Sequence, residues 1–320
     1  MTDGLALVPD QTQRGKAKAL ADQIAHQVGQ IILGKDREIR LAFACLLARG
    51  HLLIEDVPGV GKTLLARSLA IVLNFDYRRI QFTSDMLPAD IIGVSIFDQN
   101  TATFRFNRGP LFAELVLADE VNRATPKSQS ALLEAMEEQQ VTVDGETLSL
   151  PDPFFVIATQ NPSHQIGTFP LPESQLDRFL MRICLGYPPE PEERELLSGP
   201  DRRGALETIN PVISKPEIAE LQSSANDIHV SGAILDYVQA LVRFTREAPE
   251  LEMGLSPRAA VDLIRAAKCW ALISGHSGVR PEDIKAVFSA VASHRLRSRA
   301  DTSQTHADVA TFVLQSVPVP

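Results

Sequence analysis

Residues 53–67, LIEDVPGVGKTLLAR, carry a Gly-Lys-Thr triplet at Gly61, Lys62 and Thr63 directly after a short apolar run. Backbone N–H groups of such a turn, opening a helix, converge on an anion, and the helix dipole adds to their pull. A lysine at this place reaches β- and γ-phosphates and a hydroxyl can ligate Mg²⁺, which makes Lys62 and Thr63 candidates for those roles. Gly59 and Gly61 sit where the backbone must come close to phosphate; Pro58, Val60 and Leu64 complete the loop. One position is at odds with this reading. The spacing G-x-x-x-x-G-K-[ST] asks for a first glycine where this chain has Asp56. An acidic side chain is compatible with a phosphate loop only if it ends its strand with the carboxylate turned away.

Further along, LVLADE (115–120) delivers Asp119 and Glu120 at the end of an apolar strand, the edge where α/β sheets place their chemistry. One carboxylate can hold Mg²⁺, directly or through water, while its neighbour polarises an attacking water. ATQNP (158–162) ends another buried strand with Asn161, a donor and acceptor that could sit between that water and the γ-phosphate; an asparagine before proline is also a plain turn former. In LPESQLDRFLMR (171–182), Arg178 could stabilise charge on a transferring phosphoryl group from across a subunit boundary. Arg123 and Arg182 compete for that role, and an ion pair with Asp177 is the structural alternative. Arg258 falls in the first turn of a helix with Ser256 as N-cap and Pro257 at its first position, where it could reach phosphates from a lid.

The elements that must position these groups follow from periodicity. Residues 1–16 read as a disordered tail. Ala17, Leu20, Ile24, Val28 and Ile31 mark a helix, and a second helix spans roughly 36–49. Short buried strands at 51–55, 115–120, 154–160 and 180–185 alternate with helices, notably 126–139, which implies a parallel sheet covered on both faces. Two stretches interrupt the alternation: 93–107, two strands around a polar turn, and 140–150, a hairpin with Asp144-Gly145 as a type I′ turn. A proline- and glycine-rich connection at 191–210 separates this core, 17–190, from an all-helical lid over 211–320.

Composition sets outer limits. A chain of 320 residues that is 44% hydrophobic can bury a sizeable core, and no run of about 18 apolar residues is present to span a membrane. The first 18 residues lack the basic start and apolar centre of a secretory leader, so cytoplasm is the expected compartment. Three scattered cysteines and seven histidines offer no transition-metal spacing. A net charge of −9 disfavours a broad nucleic-acid face, and the one basic run, His294–Arg299, reads as a solvated helix end.

Taken in order, EDVPGVGKT (55–63), FTSDMLPADIIG (82–93), DEVNRATPKSQSALLEAMEE (119–138), ATQNP, LPESQLDRFL (171–180) and LSPRA (255–259) resemble the AAA+ ATPases, specifically the MoxR family. The resemblance covers the chain from about residue 17. It implies an αβα P-loop core with β-hairpin insertions and a helical lid, ATP and Mg²⁺ as ligands, and a homo-oligomeric, usually hexameric, ring. It also implies that 28–39 lies against the adenine through Ile32 and Gly34, and that Asp119 serves the Mg²⁺ site and Glu120 is the catalytic glutamate. By the same resemblance Asn161 is sensor 1, Arg178 the arginine finger and Arg258 sensor 2. The two insertions correspond to the helix-2 insert and the pre-sensor-1 hairpin. Relatives act as chaperone-like factors on protein clients, often with a von Willebrand factor A domain partner. Two rivals to a protein-remodelling motor are a helicase-type nucleic-acid motor and a nucleotide-gated scaffold. The first is opposed by Asp144 and Glu146 on the 140–150 hairpin, which would repel a phosphate backbone. The second is opposed by intact Glu120 and Asn161.

Overall fold

The computed structural model describes residues 11–161, 168–198, 204–299 and 306–319. Pro162 of ATQNP and residues 1–10 of the expected tail lie outside the described residues. Helices α1 (Gln11–Gly29) and α2 (Asp36–Leu47) precede β1 (Leu52–Glu55), α3 (Lys62–Val72) and β2 (Tyr77–Gln81). A short α4 (Pro88–Ile92) leads into the hairpin β3 (Gly93–Asp98) and β4 (Thr103–Arg108). The core continues through β5 (Leu115–Asp119), α5 (Pro126–Glu138), the hairpin β6 (Gln140–Val143) and β7 (Glu146–Ser149), β8 (Phe155–Gln160), α6 (Glu173–Leu176) and β9 (Met181–Ile183). After α7 (Glu190–Ser198) come α8 (Lys215–Asn226), α9 (Gly232–Glu247), β10 (Leu251–Met253), α10 (Pro257–Ile273), α11 (Pro281–Ala292), β11 (Arg297–Ser298) and α12 (His306–Ser316).

Five strands form one parallel sheet in the order β2-β5-β8-β1-β9. Because side chains alternate across a strand, each central strand feeds both faces. Leu52 and Ile54 of β1, Leu115 and Leu117 of β5, and Phe155 and Ile157 of β8 join one core with α1, α2, α3 and the lid helices. Leu53, Val116, Ala118, Val156 and Ala158 join the other, under α5 and the hairpins. The lid therefore shares a continuous apolar core with the helical layer on one face of the sheet. In the second hairpin, Asp144 (φ 52°) and Gly145 (φ 83°) both take positive φ, as a type I′ turn requires.

Four differences from the sequence reading have local causes. Residues 11–16, assigned to the tail, already belong to α1, whose Ala17, Leu20 and Ala21 are buried and anchor its first turns. The 191–210 linker is largely structured: α7 occupies its first part, with Glu190, Glu192 and Glu193 in the first turn, where acidic groups favour the helix dipole. A 3-10 turn at Gly204–Glu207 buries Leu206. Among the described residues the lid is not purely helical: β10 pairs with β11 antiparallel, and His229 bridges Gly278. The basic run is also not a solvated helix end: α11 stops at Ala292, and His294 and Arg295 are buried.

His51, just ahead of β1, is buried at the entrance of the sheet. Its Nε2 donates to Met136 O (3.1 Å), and its Nδ1 accepts from the Val156 N–H (3.1 Å). A backbone N–H can only donate, so this pair fixes the neutral imidazole. Burial pushes the His51 pKa down from 6.5 to about 4. The folded state prefers the neutral ring, so the stabilisation is fully present above pH 6.5 and is lost as pH falls from there towards 4. Denaturant titrations at pH 7 and 4.5 are expected to show wild type losing about 2–3 kcal/mol more than His51→Gln. Equal losses in the two proteins would show that His51 does not drive the acid response.

Candidate active site

β1 runs out of the sheet into residues 56–61, and α3 begins at Lys62. Gly59 (φ 88°) and Gly61 (φ 96°) adopt the left-handed conformation that glycine takes without strain. At Gly59 nothing lies within 4 Å of where a Cβ would be, so backbone conformation and not crowding selects glycine there. Ile32 is buried, and its Cδ1 lies 3.4 Å from where a Gly61 Cβ would project. The 28–39 segment thus flanks the loop. Gly34 (φ 69°) packs beneath Pro189, whose Cδ would stand 2.8 Å from an added Cβ.

The Asp56 carboxylate is held by main chain: Oδ1 accepts from the Val57 N–H (2.8 Å) and Oδ2 from the Gly186 N–H (2.6 Å). It fastens the end of β1 to the turn after β9, and its backbone carbonyl accepts from Lys62 Nζ (2.6 Å). The acidic residue is a strand-end tie whose oxygens are both occupied.

Lys62 is buried, and its second partner is Asn161 Oδ1 (3.0 Å). Both partners are amide oxygens, and no carboxylate pairs with Lys62 among the described residues. Burial pulls its pKa below 10.5, opposed by the nearby charges of Asp56, Asp119 and Glu120. Asn161 Nδ2 in turn donates to Glu120 Oε1 (3.1 Å). Lysine can only donate and a carboxylate only accept, so the network sets the amide orientation. One asparagine thereby joins the loop lysine to Glu120, the acidic residue directly after β5.

Glu120 has φ 56° and ψ 47°, an uncommon conformation for a residue with a Cβ, which turns it out of the strand. Its Oε2 accepts from Arg123 Nη1 (2.9 Å) and Gln81 Nε2 (3.1 Å). Asp119 Oδ1 accepts from the Thr159 hydroxyl (2.6 Å), while Oδ2 accepts from Arg79 Nε (3.0 Å) and Nη2 (2.5 Å). The Thr159 hydroxyl also accepts from the Glu120 N–H (2.9 Å), so one fully buried side chain orients both acids. Sequence reasoning missed Arg79, Gln81 and Thr159. Arg79 and Gln81 alternate on β2 and register with Leu117 and Asp119 of β5; the alternation is visible in the sequence, but the adjacency of β2 and β5 is not.

Arg178 and Arg258 lie elsewhere. Arg178 Nη1 donates to Leu133 O (2.7 Å) and pairs with Glu137 Oε2 (2.9 Å); Arg258 Nη1 pairs with Glu137 Oε1 (3.2 Å). Glu137 follows Met136, whose carbonyl meets His51 ahead of β1, and the Leu180 N–H donates to His51 O. This cluster is therefore at the edge where the parallel strands begin, while Lys62, Glu120 and Asn161 are where they end. The four residues of β1 alone separate the edges by about 13 Å, beyond the reach of an arginine side chain. Arg258, expected over the loop, stands instead beside Arg178 on the far edge. Of the competitors, Arg123 is paired with Glu120 of its own chain and Arg182 with Glu55 (2.9 Å).

Residues 51–181 match the ATPase family associated with various cellular activities (AAA), and residues 243–312 match the AAA lid domain. The chain is 40% identical to Chaperone MoxR1 of Mycobacterium tuberculosis over 96% of its own length and 85% of that protein. It is 45% identical to the uncharacterized protein YeaC of Bacillus subtilis, over 87% of each chain. With Protein MoxR of Methylorubrum extorquens it shares 31% identity over 94% of its own length and 95% of that protein. The crystal structure of a Cytophaga hutchinsonii protein superposes with a TM-score of 0.86 at 35% identity, covering 97% of both chains. Sequence, core, lid and loop geometry agree: the chain belongs to the MoxR family of AAA+ ATPases.

Proposed function

We propose that this ATPase is a Mg²⁺-dependent motor, assembled as a ring with each active site completed by a neighbouring subunit, that remodels protein clients. The observation that carries the reading is Asn161 bridging Lys62 to Glu120. It ties the group that would hold the γ-phosphate to the group that would activate water. A buried lysine that, among the described residues, bonds amide oxygens and no carboxylate is costly, and a polyphosphate in the loop would supply a direct counter-charge. The loop N–H groups at the start of α3 would hold the phosphates, and Ile32 and Gly34 would flank the base. Thr63 stands in the first turn of α3 to ligate Mg²⁺. Asp119, with both oxygens engaged by Thr159 and Arg79, fits a contact through one of the waters that Mg²⁺ keeps. When bound, the ion offsets charge developing on the phosphates.

Glu120 would take the proton of the attacking water while Asn161 fixes its direction. Arg178 and Arg258 would act on the neighbour's nucleotide, because they stand at the opposite edge of their own sheet. A head-to-tail contact of that kind closes into a ring, usually of six in this family. The family resemblance adds a von Willebrand factor A domain partner. On the client side, the first hairpin presents Val94, Ile96, Phe97 and Phe104 to solvent, suited to polypeptide. The turn residue Asp144 and the adjoining Glu146 of β7 line a cavity of about 690 Å³ between the two hairpins, which opposes nucleic acid. Among the described residues no helix is long and apolar enough to cross a membrane.

The test is the concentration dependence of ATP turnover. Turnover per subunit is expected to rise steeply with protein concentration as subunits meet. A monomeric fraction that hydrolyses ATP at the full rate would refute a shared site. A salt-dependent retardation of DNA by the protein would reverse the choice of client.

A further inference from the structure

Arg295, in the lid, donates six hydrogen bonds from its side chain. Its side chain is only 4% exposed. Nε donates to Asp177 Oδ1 (2.6 Å). Nη2 donates to Asp177 O (3.0 Å), Phe179 O (3.1 Å) and Asp262 Oδ2 (2.7 Å). Nη1 reaches Val291 O (2.9 Å) and Leu180 O (3.5 Å). The adjacent His294 Nε2 donates to Phe179 O (2.9 Å). Most of these acceptors belong to residues 177–180, the segment that carries Arg178.

That segment has little structure of its own. It follows α6, four residues long, and precedes β9, three residues long. Helix α10 then makes a second joint with the same region: Asp262 accepts from Arg295, and Arg258, one turn earlier, meets Arg178 at Glu137. Positions i and i+4 share one helix face, so a single turn of α10 connects to the Arg178 segment twice, through Glu137 and through Arg295. An ammonium could not replace this guanidinium, because lysine has three donors on one atom and no planar fork.

We infer that Arg295 is a positioning residue for Arg178: it clamps the backbone of Asp177–Leu180 to the lid, so that Arg178 and Arg258 are offered to the neighbouring subunit's nucleotide as a preset pair. This rests on the reading that Arg178 acts between subunits. A lid displacement would then move both arginines together. A shift of about 1 Å in a group that contacts the reacting phosphate is enough to cost on the order of a hundredfold in rate.

The experiment uses the full chain with Arg295→Lys and, because a buried cation is risky to alter, Asp177→Asn. The second variant removes only the negative charge on the Arg178 side: an amide oxygen and the backbone carbonyls remain as acceptors, and Asp262 stays paired with Arg295. Both are expected to bind ATP as wild type does, since their own loops are intact. The turnover rate is expected to fall about a hundredfold for Arg295→Lys and roughly tenfold for Asp177→Asn. Each is then mixed with Lys62→Ala, whose loop is defective but whose arginines are sound. Recovery towards roughly a quarter of the wild-type rate, the share of productive contacts in a random ring, is the expected result. A purely structural defect would not recover in this way. Wild-type turnover in both variants overturns the proposal. So does a loss that mixing fails to restore while Arg178→Ala mixed with Lys62→Ala recovers. If that Arg178→Ala control does not recover, the shared-site reading itself fails and the role of Arg295 falls with it.

Discussion

Glu120→Gln is expected to lower ATP turnover by about a thousandfold, within the range lost with a general base, while nucleotide affinity stays at the wild-type value. The carboxylate accepts from Asn161 at one oxygen and from Arg123 and Gln81 at the other. Glutamine has the same shape and its oxygen can still accept from Asn161, so the link to Lys62 and the backbone at φ 56° survive, while the contact with the exposed Arg123 is given up. What disappears is the capacity to take a proton from water. Affinity should be spared because the loop, Lys62 and the start of α3 are the proposed phosphate contacts and Glu120 is not among them. Phosphate release and equilibrium nucleotide binding, measured on the same preparation, separate the two quantities. Turnover equal to wild type would place the base elsewhere.

Arg178→Ala is expected to reduce turnover on the order of a thousandfold, the lower range for a trans-acting arginine, again without loss of ATP binding. Its side chain is 30% exposed, and its partner Glu137 keeps Arg258 when it is removed. No charge is left buried and unpaired, so a fall in turnover cannot be assigned to a collapsed core. The loss should also be absent from the variant's own loop. Mixing Arg178→Ala with Lys62→Ala should restore activity, because each supplies what the other lacks. An arginine that served its own chain's nucleotide would show no recovery, since neither partner then holds a complete site.

The phosphate loop, the acidic pair at 119–120 and Asn161 were legible because their spacing along the chain is their geometry. A strand end, a glycine turn and a helix start form one local unit, and Gly59 and Gly61 declare the left-handed turn in advance. The helix cap at Ser256 was legible for the same reason, its hydroxyl accepting from the Ala259 N–H (3.0 Å). Asp56 was legible only as a conflict. Its spacing marked it as foreign to the loop, but the Gly186 N–H that accommodates it lies 130 residues away.

The hidden residues share one property: their partners come from strands or domains that are distant in sequence. Arg79, Gln81 and Thr159 reach Asp119 and Glu120 only because β5 lies between β2 and β8. Arg295 looked like part of a solvated charge run because Asp177 and Asp262, which neutralise it, and the carbonyls of Asp177, Phe179 and Leu180, which bond it, converge only in the folded chain. The same holds for the placement of Arg178 and Arg258. Sequence by itself determined the local layout, a glycine loop opening a helix, an acidic pair at one strand end and an asparagine at another, since local backbone geometry follows from residue type and spacing. Only the tertiary structure decided that the two arginines face away from those groups, because which edge of a parallel sheet a residue occupies depends on strand direction and on where the lid packs.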